Sequence, residues 1–190
     1  MNKMSLAVAV LFLSSPFVNA ATYTIDGSHS SVTFKIKHVI GKVTGNFQQF
    51  TGNFTYDPAK PQATTANAVI QATSVNTSNE KRDNHLRTPD FFDVQKYPTI
   101  TFKGDHVTDV QGSKAKLAGQ LTLHGVTKPV VLDLDIAGVA KDPMGKERAG
   151  ASATTTINRN DFVVGPSTGP MSTMIGDQVE ISIDIEGIKQ

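Results

Sequence analysis

The chain reads as an all-β protein: an eight-stranded antiparallel barrel carrying a short helical lid at about residues 78–93. Three observations predict this. Apolar and polar residues alternate with period two along most of the chain. The alternating stretches number about eight and are mostly joined by turns of hairpin length. Only one stretch, Thr77 to Phe102, carries helical signals.

Tyr23 and Ile25 open the alternation, and Asp26-Gly27 turns the chain. Val32, Phe34 and Ile36 alternate with Thr33, Lys35 and Lys37, the pattern of a half-buried strand. Gly41 and Gly45 flank a turn. Phe47 begins the next strand, and Phe50, Phe54 and Tyr56 continue it. The step from Phe47 to Phe50 is out of phase, which predicts a bulge near Gln48-Gln49. Asp57-Pro58 and Pro61 form a loop, after which Ala66, Ala68, Ile70 and Ala72 alternate with polar or outward neighbours.

The helical stretch comes next. Thr77 and Glu80 have the spacing of a capping box, so a helix is expected to start there. Asp83 and Arg87 lie four apart on one face, as do Arg82 and Leu86. Thr88-Pro89 ends the helix, because a residue before proline avoids the helical region. Phe91 and Phe92 follow, and Tyr97-Pro98 leads back into a strand. A charged helix followed by paired phenylalanines predicts a lid over the open end of the barrel.

Ile100 and Phe102 share a face of the strand from Thr99 to Val107. Leu117, Gly119, Leu121 and Leu123 alternate up to a turn at His124-Gly125. Val130, Leu132, Leu134 and Ile136 give the cleanest period-two signal in the chain. Ala149, Ala151, Ala153 and Ile157 share one face of the following strand. Asn158 to Met174 is rich in glycine and proline and reads as a long loop with one helical turn. Val179, Ile181, Ile183 and Ile185 form the last strand.

Residues 1–20 read as a cleaved export signal, and residues 21–190 as one domain. Lys3 precedes the apolar run Leu6 to Leu13, and Val18-Asn19-Ala20 is a small-residue cleavage pattern. No arginine pair precedes the run, so a Sec-type route is expected, leading to a periplasm or, alternatively, to the medium. There is no cysteine, hence no disulfide and no lipid-modified cysteine. With 18 Lys+Arg against 17 Asp+Glu the chain lacks the basic excess of a nucleic-acid binder. No second apolar run is long enough to span a membrane. Oligomeric state is left open.

An eight-stranded barrel is wide enough to be filled by side chains or to hold one ligand. Ala66, Ala68 and Ala72 on one strand, and Ala149, Ala151 and Ala153 on another, put small residues on the apparent inner face. They leave an apolar hollow unless larger residues opposite fill the taper. A hollow would select a hydrocarbon chain, since each buried methylene contributes about 0.8 kcal/mol. Nothing calls for catalysis: there is no cysteine nucleophile and no G-x-S-x-G elbow. The other two classes are an enzyme acting on a bound lipid or quinone, and a filled barrel acting through its surface as a stress-related partner protein.

Several motifs carry a family resemblance. They are Arg82-Asp83-X-His85-Leu86-Arg87, Asp90-Phe91-Phe92-Asp93 and Lys96-Tyr97-Pro98. Leu121-Thr122-Leu123-His124-Gly125-Val126-Thr127-Lys128 is another, as are His29-Ser30 with Val32 and Phe34, and Asn158-Arg159 with Asp161-Phe162. In this order, over essentially all of residues 21–190, the chain resembles the YceI-like family. The resemblance implies a lipocalin-like barrel holding a polyisoprenoid or similar long lipid, often in an exported protein.

Inward faces and lid supply the candidate tunnel lining: Phe34, Ile36, Phe47, Phe54 and Ile70, then Leu86, Phe91, Phe92 and Phe102, then Leu121, Leu132 and Leu134. Phe162, Met171 and Met174 are candidates for the mouth, because methionine adapts to irregular apolar ligands. Arg82, His85 and Arg87 are candidates for a polar or pyrophosphate head group, since arginine forks suit phosphate oxygens. The competing expectation is that Arg82, Asp83 and Arg87 pair with one another or with carbonyls at the barrel end. The five histidines, His29, His38, His85, His106 and His124, lack metal-ligand spacing. No cofactor is called for.

Overall fold

The period-two alternation becomes a ladder of antiparallel strands: β1 (Ala21–Ile25), β2 (Ser31–His38), β3 (Gly41–Phe47), β4 (Phe50–Tyr56), β5 (Thr65–Gln71), β6 (Val75–Asn76), β7 (Thr99–Gln111), β8 (Lys114–Leu123), β9 (Val126–Lys141), β10 (Glu147–Asn158) and β11 (Ile175–Lys189). The structure is a computed structural model and describes residues 20–190, so the export signal expected at residues 1–20 lies outside the described residues save for Ala20.

Among the described residues the 11 segments make a closed eight-stranded barrel, because six of them are halves of three broken strands. β1 with β2, β3 with β4, and β5 with β6 each follow one path around the wall. β11 closes the barrel against both halves of the first: Tyr23 pairs with Lys189, and Val32 pairs with Ile183. Among the described residues β6 alone has a strand partner on one side only, β3, and Arg87 Nη2 takes the Val75 carbonyl there, so closure leaves little edge to pair with other chains.

The breaks have local causes. The bulge expected at Gln48-Gln49 separates β3 from β4, and buried Ser74 stitches it. Gln48 N donates to Ser74 O (3.1 Å) and Gln49 N donates to Ser74 Oγ (3.0 Å). β5 stops one residue short of Ala72, which enters a 3-10 turn (Ala72–Ser74) rather than continuing the alternation. Ala72 N donates to Pro98 O there instead of to a strand neighbour.

The one α-helix among the described residues is α1 (Glu80–Leu86). It lies in the stretch read as helical, but Thr77 does not cap it. Asn79 is the cap, its side chain accepting from Arg82 N at 3.0 Å. Thr77 instead gives its backbone N–H (2.8 Å) and its hydroxyl to the buried Asp83 carboxylate. That leaves Asp83 satisfied without Arg87. The helix is far too short and polar to cross a membrane, and no other described helix is long and apolar enough.

Candidate functional site

The inner wall of the barrel does not close on itself. It surrounds a cavity of about 410 Å³, within the range of small-molecule sites. Space is left because Ala66 and Ala68 on β5, and Ala151 and Ala153 on β10, face it. Two wall phenylalanines also pack closely against glycines. A Cβ on Gly45 would overlap the Phe34 ring, and one on Gly119 would come within 2.6 Å of Phe102 Cζ.

Phe34, Ile36, Phe47, Phe54, Ile70, Leu86, Phe91, Phe92, Phe102, Leu121, Leu132, Leu134 and Met171 all line this cavity. Two expected mouth residues do not. Phe162 ends a 3-10 turn (Arg159–Phe162) that drops its ring into the packed core, where it is 2% exposed. Met174 lies outside the lining and is 44% exposed, directly before β11.

The lid covers one end. Phe91 is buried against the core, and the Phe92 ring lies edge-on to Phe47 with centroids 5.8 Å apart. His85 meets Phe91 edge-on at 5.0 Å and pairs with Asp90 (3.0 Å) on the outer side.

The head-group candidates separate. Arg82 and His85 line the cavity; Arg87 does not. Arg87 bridges the lid to the barrel end, with Nε to Thr73 O (2.8 Å) and Nη2 to Val75 O (2.9 Å). Its remaining fork nitrogen reaches Asn84 Oδ1 (2.9 Å). All three guanidinium nitrogens are engaged by protein oxygens and the group lies outside the cavity lining, which favours the barrel-end reading for Arg87. Arg82 gives Nε to Thr77 Oγ1 (2.7 Å) and Nη2 to Thr77 O (2.9 Å), which leaves Nη1 without a protein partner among the described residues.

A third arginine was not anticipated. Arg159 lines the cavity at 3% exposure. It donates to Gly176 O (3.0 Å), Val164 O (3.1 Å), Pro166 O (2.9 Å) and Asp177 Oδ1 (3.1 Å). A buried charge is tolerated only when so paired, and here the pairing pins the glycine- and proline-rich loop to the start of β11. The sequence signal was an arginine where alternation stops and the loop begins, which marks a position but not a role. Val130, Val179, Ile181, Ile183 and Ile185 also line the wall, on strands whose alternation was plain. Thr64 lines it too, and its buried Oγ1 has no protein partner among the described residues.

Comparison with known proteins fits this geometry. The YceI-like domain model matches residues 23–187. A UPF0312 protein of Pseudomonas putida (strain W619) is 41% identical over 189 residues, covering 98% of this chain and 96% of the relative. The crystal structure of a Campylobacter jejuni YCEI protein superposes with a TM-score of 0.70 at 31% identity, covering 100% of this chain and 94% of that one. A polyisoprenoid binding domain from Saccharophagus degradans shares the fold, with a TM-score of 0.67 at 17% identity over 90% of this chain and 100% of that one.

Proposed function

Because the chain belongs to the YceI-like domain family, we propose that its barrel binds a polyisoprenoid or similar long-chain lipid and carries or sequesters it in the periplasm after Sec-type export. The observation that carries this reading is the cavity: about 410 Å³ of space walled mainly by aliphatic and aromatic side chains, with paired Arg159 the one buried charge lining it among the described residues. Tail burial drives binding at about 0.8 kcal/mol per methylene, so a few isoprene units suffice for tight association. Specificity for an isoprenoid over a straight chain comes from wall shape, where alanines on β5 sit between the phenylalanines of β4 and β7 and those on β10 between branched aliphatics.

Arg82 Nη1 and His85 at the lid are the polar contacts offered to the ligand. The site holds a molecule without transforming it. A polyisoprenoid-binding domain with the same fold supports this assignment. The test is displacement of an environment-sensitive apolar fluorophore by a long-chain isoprenol. Saturable displacement at one molecule per chain is expected. No displacement by any isoprenol would overturn the reading.

A further inference from the structure

The tip of the β2–β3 hairpin is built against the rules for such turns. Two-residue hairpin turns favour glycine or asparagine where φ is positive. Here the turn is Val39-Ile40, with Val39 at φ +54°, a strained conformation for a β-branched residue. Ile40 is 100% exposed and Val39 48%. Ile40 packs on nothing and Val39 is only half covered, so folding gains little from them that a glycine-serine turn would not supply with less strain.

The tip is not isolated. Val39 N donates to Met174 O at 2.8 Å, which ties it to a loop where Met171 and Met174 are 46% and 44% exposed. Behind this apolar edge stand cations. Lys37 and Lys42 pair directly across β2 and β3, an arrangement that costs stability when like charges face each other. Lys42 is held by Glu180 at 2.7 Å, while Lys37 has no carboxylate partner among the described residues. There is no acidic residue from Ser31 to Phe47 and no charged residue of either sign from Val163 to Gly176. The acids that begin β11, Asp177 and Glu180, are already paired with Arg159 and Lys42. Lys37, His38, Met171 and Ile175 line the cavity, so the patch is also its rim.

We propose that the Val39-Ile40 tip, with Met171 and Met174 beside it and Lys37 behind it, docks on an anionic lipid bilayer and sets the cavity mouth against the membrane. An apolar edge with a cationic shoulder matches the boundary between acyl chains and phosphate head groups. The proposal rests on the lipid reading above. It gives that reading a route: a tail passes between cavity and bilayer without crossing water.

The experiment is flotation with vesicles of phosphatidylethanolamine mixed with phosphatidylglycerol, and with phosphatidylcholine alone. The wild-type chain is expected to float with the anionic vesicles, less so at high salt, and only weakly with phosphatidylcholine. The double variant Val39→Gly with Ile40→Ser is expected to lose about tenfold in partitioning, since it removes most of the buried apolar area at the tip. It should be at least as heat-stable as wild type and should displace the apolar fluorophore with isoprenol unchanged, which separates failure of docking from failure of lipid binding. Equal flotation of variant and wild type would overturn the proposal. So would a wild-type chain that ignores anionic vesicles, including one whose tip instead mediates a dimer that the variant breaks in sedimentation velocity.

Discussion

The Phe92 ring stands edge-on to Phe47, 5.8 Å between centroids, and joins the lid to the barrel wall. Phe47 is buried at the end of β3 and Phe92 is half-buried in the segment after α1. Both line the cavity, so this aromatic pair is at once the lid's contact with the wall and part of the cavity lining. Phe92→Ala should lower stability by about 2 kcal/mol, less than the roughly 3–5 kcal/mol of a fully buried phenylalanine because the ring is only partly buried. It should also speed lipid release, read by stopped-flow dilution of a fluorescent isoprenoid. Unchanged release would place the exit elsewhere.

Ala151 keeps the chamber open from β10, opposite Ile136 and Ile185 on the neighbouring strands. Ala151→Phe adds a ring into existing space rather than into a packed core, so the overpacking penalty should be small. The variant should melt within a few degrees of wild type, consistent with a change below about 1 kcal/mol. It should lose isoprenol binding by more than about tenfold, the effect of displacing several methylenes from the wall. Binding at wild-type strength would mean that the ligand does not lie along β10.

The arginines give opposite expectations. Arg87→Gln removes the bridge to the Thr73 and Val75 carbonyls, so it should weaken phosphorylated and uncharged isoprenoids alike, by loosening the lid. Arg82→Gln removes a cation at the cavity wall and should weaken the phosphorylated lipid more. Equal loss for the two ligands in Arg82→Gln would remove the head-group role altogether. Titration calorimetry with a matched isoprenol and isoprenyl phosphate makes the comparison.

Most of the barrel was legible because strand alternation reports which face is wet, and a closed wall has only one dry side. That is why Phe34, Phe102, Leu121 and Leu132 could be placed on the inner face from their spacing, while spacing left open whether that face meets a hollow or a filled core. What was hidden depends on interactions between distant segments. Thr77 has the spacing of a capping residue, yet it serves Asp83, while Asn79 two positions on does the capping. Arg87 sits at ion-pair spacing from Asp83, yet its partners are carbonyls across the barrel end. Phe162 follows a loop-like signal, but a 3-10 turn rotates it away from the mouth. Local patterns fix which side chains are available; the fold decides which oxygen reaches them first.

At the end away from the lid, Arg148 gathers Asp26 (2.9 Å), Asp142 (3.0 Å) and Glu186. Hydrogen bonds from Ser28, His29 and Arg148 hold the Asp26 carboxyl far below the usual carboxylate range. Burial raises Asp142, but the Arg148 bond and the Lys146 and Met144 amides outweigh it, and its net shift is also downward. Groups depressed in the folded state stabilise it above their unfolded pKa and lose that contribution as pH falls through the folded value. Stability should therefore be flat near neutrality and decline below about pH 4. In Arg148→Met that decline should be shallower, because less of the depression remains to be lost. Tyr23 acts at the other extreme: burial and its bond to Glu147 push it up to about 12, so its contribution is present in the neutral form and is lost as pH rises toward that value. Thermal melts across pH, with and without the Arg148 substitution, check both directions.

The most direct test of the central claim is organic extraction of freshly purified, exported protein followed by mass spectrometry, with Ala151→Phe prepared in parallel. A cavity shaped for an isoprenoid should yield one such lipid from the wild-type chain and little or none from the blocked variant. Recovery of no lipid from the wild type, or of the same lipid from both proteins in equal amount, would contradict the account.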